Sequence, residues 1–515
     1  MQEQEKYAEA IETLKQTVRT KIIDAKSSKL INLIDTVERL GLGYHFETEI
    51  TDKLEEIFEN LHKKDEDHNL FTIAQGFRLL RQHQYQVSSG IFEKFKDGEN
   101  KLKDSVANDV EGLLSLYEAA HARIHGEDIL DEAIPFTTHH LKRILATELL
   151  EPSLEGKITR ALEHPYYRGV AIIEIRIYIS NYEKDDSRDS LLLKLAKLNF
   201  NFLQNLYKSE MSEVSKWWNE FDLKSKLTYS RDRLIECYLW GAAVHFEPQY
   251  SYVRKNVAKS MQMVSTMDDT YDNYATLEEA QLLTDILERW DMNEIDRLPD
   301  YMKILYRFIM SIYEDYERDA AEQDKSFAVP HFKESVKQLA RAYNQEQIWI
   351  MERQMPSFED YMNNSVITSC IYVMFMALIP GLKCVTKEVV EWLVNDSKLV
   401  ISTAKMGRHL EDLGSEDREN REGKMLTVVD CYMKNHSVSR KEALSKFKEF
   451  VENGWKNMNK EWVAKSSIPK EMVVQVINYG RVAEVTYKNS IDHYTCPEKF
   501  MTPVITATFV DPIAI

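Results

Sequence analysis

Apolar positions recur at alternating steps of three and four in both halves of the chain. Val106, Val110, Leu113, Tyr117 and Ala120 form one stripe, and Met302, Leu305, Ile309, Ile312 and Tyr316 another. That period lays the side chains along one face of an α-helix, so both stretches are expected to be helices packed on a core. The opening "MQEQEKYAEAIETLKQ" also reads as helix. It lacks the apolar centre of a secretory signal and the Arg/Ser richness of a transit peptide, which predicts a cytoplasmic protein. The most apolar stretch, "VITSCIYVMFMALIPGL" (366–382), is broken by small polar residues and a proline, and is expected to be a buried helix with no membrane span.

Composition sharpens the class. With 16 glycines and 12 prolines in 515 residues and an abundance of Leu, Glu, Lys, Ala and Met, long helices are favoured over sheets, and the fold is expected to be all-α. No Gly/Ser linker, low-complexity tract or short repeat divides the chain, and the expected break is "NEFDLKSKLTYSRDR" (219–233). The balance of 84 acidic against 66 basic residues, a net charge of −18, argues against nonspecific binding to nucleic acid or anionic membrane. A polyanionic ligand would need its own basic site or bound cations. The five cysteines, Cys237, Cys370, Cys384, Cys431 and Cys496, are scattered without a C-x-x-C pair and signal neither a disulfide framework nor a zinc site.

Three clusters share the spacing acid-Asp-x-x-Asp: "EDILD" at 127–131, "DDSRD" at 185–189 and "DDTYD" at 268–272. Residues four apart on a helix lie on one face about 6 Å apart along the axis, close enough for two carboxylates to share one hard cation. Context separates the three. The first two stand at expected helix starts, where the dipole favours negative charge. "DDTYD" follows "AKSMQMVSTM" without a Gly or Pro, so it is expected inside a helix, where several acids repel one another unless a cation compensates. A fourth run, "MGRHLEDLGSEDRENREGK" (406–424), sets Glu411, Ser415 and Glu419 four apart twice on one helix face, a hard-oxygen set suited to Mg²⁺, with Arg408 a turn earlier in reach of a phosphate. Asp412, Glu416, Asp417 and Glu422 fall on other faces and read as solvated.

Together "RDRLIECYLW" (231–240), "FEPQYS" (246–251), "MDDTYDNYAT" (267–276) and "RHLEDLGSEDRE" (408–419) stand in the order and spacing of plant class I terpene synthases, which the chain resembles over its whole length. "LIDTVERLGLGYHFETEI", "FRLLRQH", "LLSLYEAAHARIHGED" and "TYKNSIDHYTCPEKF" extend the likeness, which is strongest to mint-family sesquiterpene synthases of the (E)-β-farnesene synthase type. The resemblance implies two helical domains. Residues 1–222 would form a non-catalytic, α-barrel-like domain, and residues 223–515 the catalytic class I terpenoid synthase domain.

The resemblance also assigns roles. Asp268 and Asp272 match Mg²⁺ ligands supported by Asp269, and Glu411, Ser415 and Glu419 match a second ligand set. The first of these is normally Asn or Asp, so Glu411 is a departure, longer by one methylene. Arg231, Arg233 and Arg408 match residues that bind the departing diphosphate. Trp240 and Tyr487 match aromatic positions lining the cavity, Asp492 and Tyr494 a lid loop, and "TSC" (368–370) a kinked helix segment facing the substrate. Family members usually carry a further segment, ahead of this chain's first helix, that caps the active site. The N-terminal half has no D-x-D-D; "DEDH" (65–68) is the nearest string and reads as a loop, so a protonation-initiated second activity is not expected. The implied activity is ionisation of farnesyl diphosphate by a monomeric enzyme with three Mg²⁺ ions, or Mn²⁺ in their place. A monoterpene synthase acting on geranyl diphosphate, and a catalytically impaired helical protein that binds cations, are the alternatives.

Overall fold

The computed structural model describes the backbone of residues 2–61, 68–99, 101–147, 149–395, 397–422 and 427–515, and the side chains of these residues except 2–6 and 417–422. The fold is all-α, as the composition predicts. Among the described residues the only extended pairing is an isolated bridge between Lys96 and Leu102. Of the string "DEDH", residues 65–67 lie outside the described residues.

The chain forms two compact units. The first comprises Met1–Tyr207, Asn459–Lys465 and Thr506–Ile515; the second comprises Lys208–Met458 and Ser466–Ile505. In the first unit the later segments are tied back by buried polar side chains. Asn459 Nδ2 donates to the carbonyls of His121 and Arg123, Trp462 Nε1 to that of Arg81, and Asn201 exchanges two hydrogen bonds with the backbone of Ile513. This unit contains a partly open cavity of about 540 Å³ whose charges close on one another, Arg78 and Arg39 on Asp35 and Arg160 on Glu174.

Two acidic clusters of the first unit serve helix starts. Asp128 and Asp131 occupy the first turn of the helix Asp128–Thr147, with Asp131 paired to Arg123 at 2.7 Å and Glu127 to Arg81. Asp189 Oδ1 accepts the backbone N–H of Leu191 at 2.9 Å at the start of the helix Ser190–Phe221.

The second unit is centred on the helices Leu234–Val244 and Ser251–Asn273. Gly241 permits their close approach, because a Cβ there would lie 2.5 Å from the carbonyl oxygen of Arg254. Arg254 is fully buried and holds Glu210 at 2.7 and 2.9 Å, while also donating to the carbonyls of His245 and Glu247. The stripe Met302, Leu305, Ile309, Ile312 and Tyr316 is buried along the helix Asp300–Glu322.

Residues 358–381 are long and apolar enough to cross a membrane, yet 78% of their most apolar window is buried within the protein. The stretch is not one straight helix. Phe358–Thr368 ends, Cys370 takes a left-handed conformation (φ 56°), and Ile371–Leu378 begins. The expected kink at 368–370 is therefore present. All five cysteines are free thiols.

Candidate active site

The helix Ser251–Asn273 carries Asp268, Asp269 and Asp272 in its last turns. The sequence suggests a helix interior, but the helix stops one residue after Asp272. The reason is that Thr276 and Glu279 form a capping box that starts the next helix at Leu277. The acids thus sit at the negative end of the helix dipole, where carboxylates are disfavoured unless positive charge faces them.

Arg231 supplies part of that charge. Its Nη2 reaches Asp268 Oδ2 at 2.6 Å, its Nε reaches Asp269 Oδ1 at 2.7 Å, and its backbone N–H donates to Asp269 Oδ2 at 2.7 Å. Both oxygens of the buried Asp269 are thereby engaged, whereas Asp268 remains about a third exposed. Asp272 has less compensation: burial first, then the charges of Asp268 and Glu346, hold its carboxyl well above the usual range. Glu346, on the helix Val329–Met351, is raised by burial although it accepts hydrogen bonds from Thr368 Oγ1 (2.9 Å) and Asn364 Nδ2 (3.2 Å).

A second set of oxygens comes from the helix Lys398–Glu422. Burial pushes Glu411 up to about 8; Asp412, Asp268 and Asp492 add repulsion that Arg408 only partly offsets. Arg408 lies 3.5 Å from Glu411 and 3.2 Å from Asp412, and donates to the Tyr361 hydroxyl at 3.3 Å. Ser415 is buried and donates to the Glu411 carbonyl at 3.0 Å. The side chains of Glu419, Asp417 and Glu422 lie outside the described residues.

The expectation of solvated acids on the other faces of this helix fails for two of them. Asp412 is 1% exposed and Glu416 is buried, because the helix is enclosed on more than one side. Each burial is compensated by an arginine, Arg408 for Asp412 and Arg440 for Glu416. Gly414 lets the helix press against the end of the chain's next site segment. A Cβ there would stand 3.0 Å from the Tyr487 ring, and the Gly414 carbonyl accepts the Asp492 N–H at 3.1 Å.

Asp492 folds the following loop by accepting the N–H groups of Tyr494 (3.0 Å) and Thr495 (2.9 Å). Both arginines hold that loop. Arg233 donates to the carbonyls of Tyr494 (3.0 Å) and Thr495 (3.1 Å), and Arg231 Nη1 to Thr495 Oγ1 at 3.2 Å.

Aromatic side chains stand beside the charged groups. Trp240 is buried edge-to-face on Tyr479 (5.5 Å), whose ring also meets Phe375 (6.0 Å) and whose hydroxyl donates to the Ser369 carbonyl at the helix kink (2.6 Å). Burial holds the hydroxyls of Tyr343, Tyr479, Tyr487 and Tyr494 well above the normal tyrosine range, so these rings stay neutral. Glu346 and Tyr479 escape the sequence reading. Each sits in an ordinary helical stripe, and the single acid in "YNQEQIWIM" is the only signal of the former.

The donor set is made of hard oxygens whose charge the protein's own bases leave undercompensated, and this fits a divalent cation such as Mg²⁺. Among the described residues no three acidic, His or Cys side chains already converge on one point.

The description "Terpene synthase family, metal binding domain" matches residues 219–457, and "Terpene synthase, N-terminal domain" matches residues 1–162. Gamma-cadinene synthase of Ocimum basilicum is 54% identical over 515 residues, covering 99% of this chain and 94% of the relative. Tau-cadinol synthase of Lavandula angustifolia is 52% identical over 520 residues, covering 99% and 93%. Isoprene synthase from grey poplar leaves (Populus x canescens), solved in complex with three Mg²⁺ ions and dimethylallyl-S-thiolodiphosphate, superposes with a TM-score of 0.92. It is 34% identical and covers 99% of this chain and 97% of that one.

Proposed function

Because the chain belongs to the plant terpene synthase family, a family of metal-dependent lyases acting on prenyl diphosphates, we propose that it converts farnesyl diphosphate to a sesquiterpene. The observation that carries this reading is the meeting of undercompensated carboxylates with arginines on one side and buried, neutral aromatic rings on the other. Residues 223–515 are assigned the catalysis and residues 1–222 a non-catalytic role, in a monomeric cytosolic enzyme.

Asp268 and Asp272, with Asp269 in support, and Glu411, Ser415 and Glu419 would hold three Mg²⁺ ions, or Mn²⁺ in their place. Such cations neutralise diphosphate and make it a competent leaving group. Arg231, Arg233 and Arg408 bind the diphosphate oxygens, which suit the guanidinium fork. The allylic carbon–oxygen bond breaks, the electron pair leaves with diphosphate, and the allylic cation faces Trp240 and Tyr487, whose ring faces attract positive charge. The loop of Asp492 and Tyr494 excludes water that would quench the cation. Transfer of a proton from the cation to the departed diphosphate ends the sequence.

The finer product type is open to one assay. The resemblance leaves a linear or a cyclised product open, and two relatives are named tau-cadinol and gamma-cadinene synthase. Gas chromatography with mass spectrometry of incubations with farnesyl or geranyl diphosphate reads substrate and product together. A hydrocarbon from geranyl diphosphate alone would replace the sesquiterpene reading with a monoterpene one.

Glu411 yields a further expected result. Below about 8 its carboxyl carries a proton that a cation must displace, so the Mg²⁺ concentration at half-maximal rate should fall as pH rises through that value. Glu411→Asp, which restores the usual ligand length, should lower that concentration several-fold at neutral pH. Initial rates against Mg²⁺ at several pH values check both. An unchanged metal dependence in the variant would show that the longer side chain already binds as well.

A further inference from the structure

We propose that Gln262 is a positioning residue that sets the register of the segment 229–233 on the helix Ser251–Asn273, and so aims Arg231 and Arg233. The inference rests on the reading of those arginines as diphosphate ligands. Gln262 is fully buried, and both ends of its carboxamide are used. Its Oε1 accepts the Arg233 N–H at 3.1 Å, and its Nε2 donates to the Arg231 carbonyl at 3.0 Å.

The same helix face grips the rest of the segment. Thr266 Oγ1 accepts from the Ser230 hydroxyl at 3.3 Å, Asp269 Oδ2 accepts the Arg231 N–H, and Thr270 Oγ1 meets the Tyr229 hydroxyl at 2.9 Å. Tyr229 also stacks on Tyr274 at 4.1 Å. The segment therefore runs antiparallel to the helix, with Tyr229 opposite Thr270 and Arg233 opposite Gln262. The chain turns at Thr228–Tyr229, where the Ser230 N–H donates to the Leu227 carbonyl at 3.0 Å, and then passes along the helix to Arg233. In this register the hydroxyls of Tyr229 and Ser230, the N–H groups of Arg231 and Arg233 and the Arg231 carbonyl all find partners on the helix.

Gln262 fixes the far end of this ladder. A carboxamide alone among side chains of its length both donates and accepts, so it reads the carbonyl of one arginine and the N–H of the other. A slip of one residue would turn the guanidinium groups away from Asp268 and from the loop at Thr495, both of which they now touch.

The test is calorimetric binding of inorganic diphosphate in excess Mg²⁺, together with steady-state kinetics, for Gln262→Met, which keeps length and volume but neither hydrogen bond. Diphosphate affinity is expected to fall about tenfold and kcat about a hundredfold, the scale set by an ångström of misplacement. Because Gln262 acts through the two arginines, the same change in an Arg231→Ala/Arg233→Ala background should cost much less than it does alone. A folded Gln262→Met protein with parental diphosphate affinity and kcat would overturn the proposal. An equal loss in the Arg231→Ala/Arg233→Ala background would also overturn it, by showing a merely structural effect. If Gln262→Met does not fold, Gln262→Asn keeps a carboxamide but shortens its reach by one methylene, so that it cannot span both backbone groups; parental diphosphate affinity in that variant would contradict the proposal. Should the parent bind diphosphate yet yield no sesquiterpene from farnesyl diphosphate, the proposed function fails while the binding measurement still decides the role of Gln262.

Discussion

Asp268→Ala is expected to lower kcat by about three orders of magnitude, equivalent to about 4 kcal/mol of transition-state stabilisation. The side chain sits where the helix dipole opposes negative charge and stays about a third exposed, which serves ligand binding better than packing. Its removal leaves Arg231 still held by Asp269 through two hydrogen bonds, so the segment carrying the arginine keeps its place. Circular dichroism and the thermal midpoint should therefore match the parent while product formation from a prenyl diphosphate collapses. Near-parental turnover in this variant would remove Asp268 from the ionisation site.

The largest effect on stability is expected from Arg254→Met. Arg254 and Glu210 form a pair from which water is excluded, with Tyr238 donating to the same carboxylate at 2.7 Å. Taking away the arginine strands a buried carboxylate and deprives the carbonyls of His245 and Glu247 of their donor. Breaking one side of such a pair costs about 3–5 kcal/mol. Adding Glu210→Leu removes the stranded charge, so the double variant should be more stable than Arg254→Met alone. Urea unfolding midpoints check the order parent, double variant, single variant. A single variant as stable as the parent would mean that water or another cation reaches Glu210.

What could be read from sequence follows the range over which each feature is determined. The stripe from Met302 to Tyr316 is legible because a helix face is a local pattern, and all five positions are buried as the period requires. The clusters at 127–131 and 185–189 are legible as helix starts for the same reason. The end of the helix after "DDTYD" was also encoded locally, in the Thr276–Glu279 capping box, a signal outweighed by the lack of Gly or Pro.

Asp412 and Glu416 were illegible. Their burial depends on how the whole helix is enclosed and, for Glu416, on Arg440 arriving from another helix. Gln262 is illegible in the same way, since its partners lie about thirty residues earlier and meet it only in the folded unit. The family motifs point to the ligands of the site, whereas the residues that hold those ligands in place come from packing.

The central claim is that this site ionises farnesyl diphosphate. Diphosphate release and hydrocarbon formation, followed together in one incubation of the full chain with farnesyl diphosphate and Mg²⁺, test it most directly. The account predicts a sesquiterpene appearing in step with diphosphate, and neither product once a chelator removes the metal. Absence of a sesquiterpene under Mg²⁺ and Mn²⁺ alike, from protein whose circular dichroism shows it folded, would contradict it.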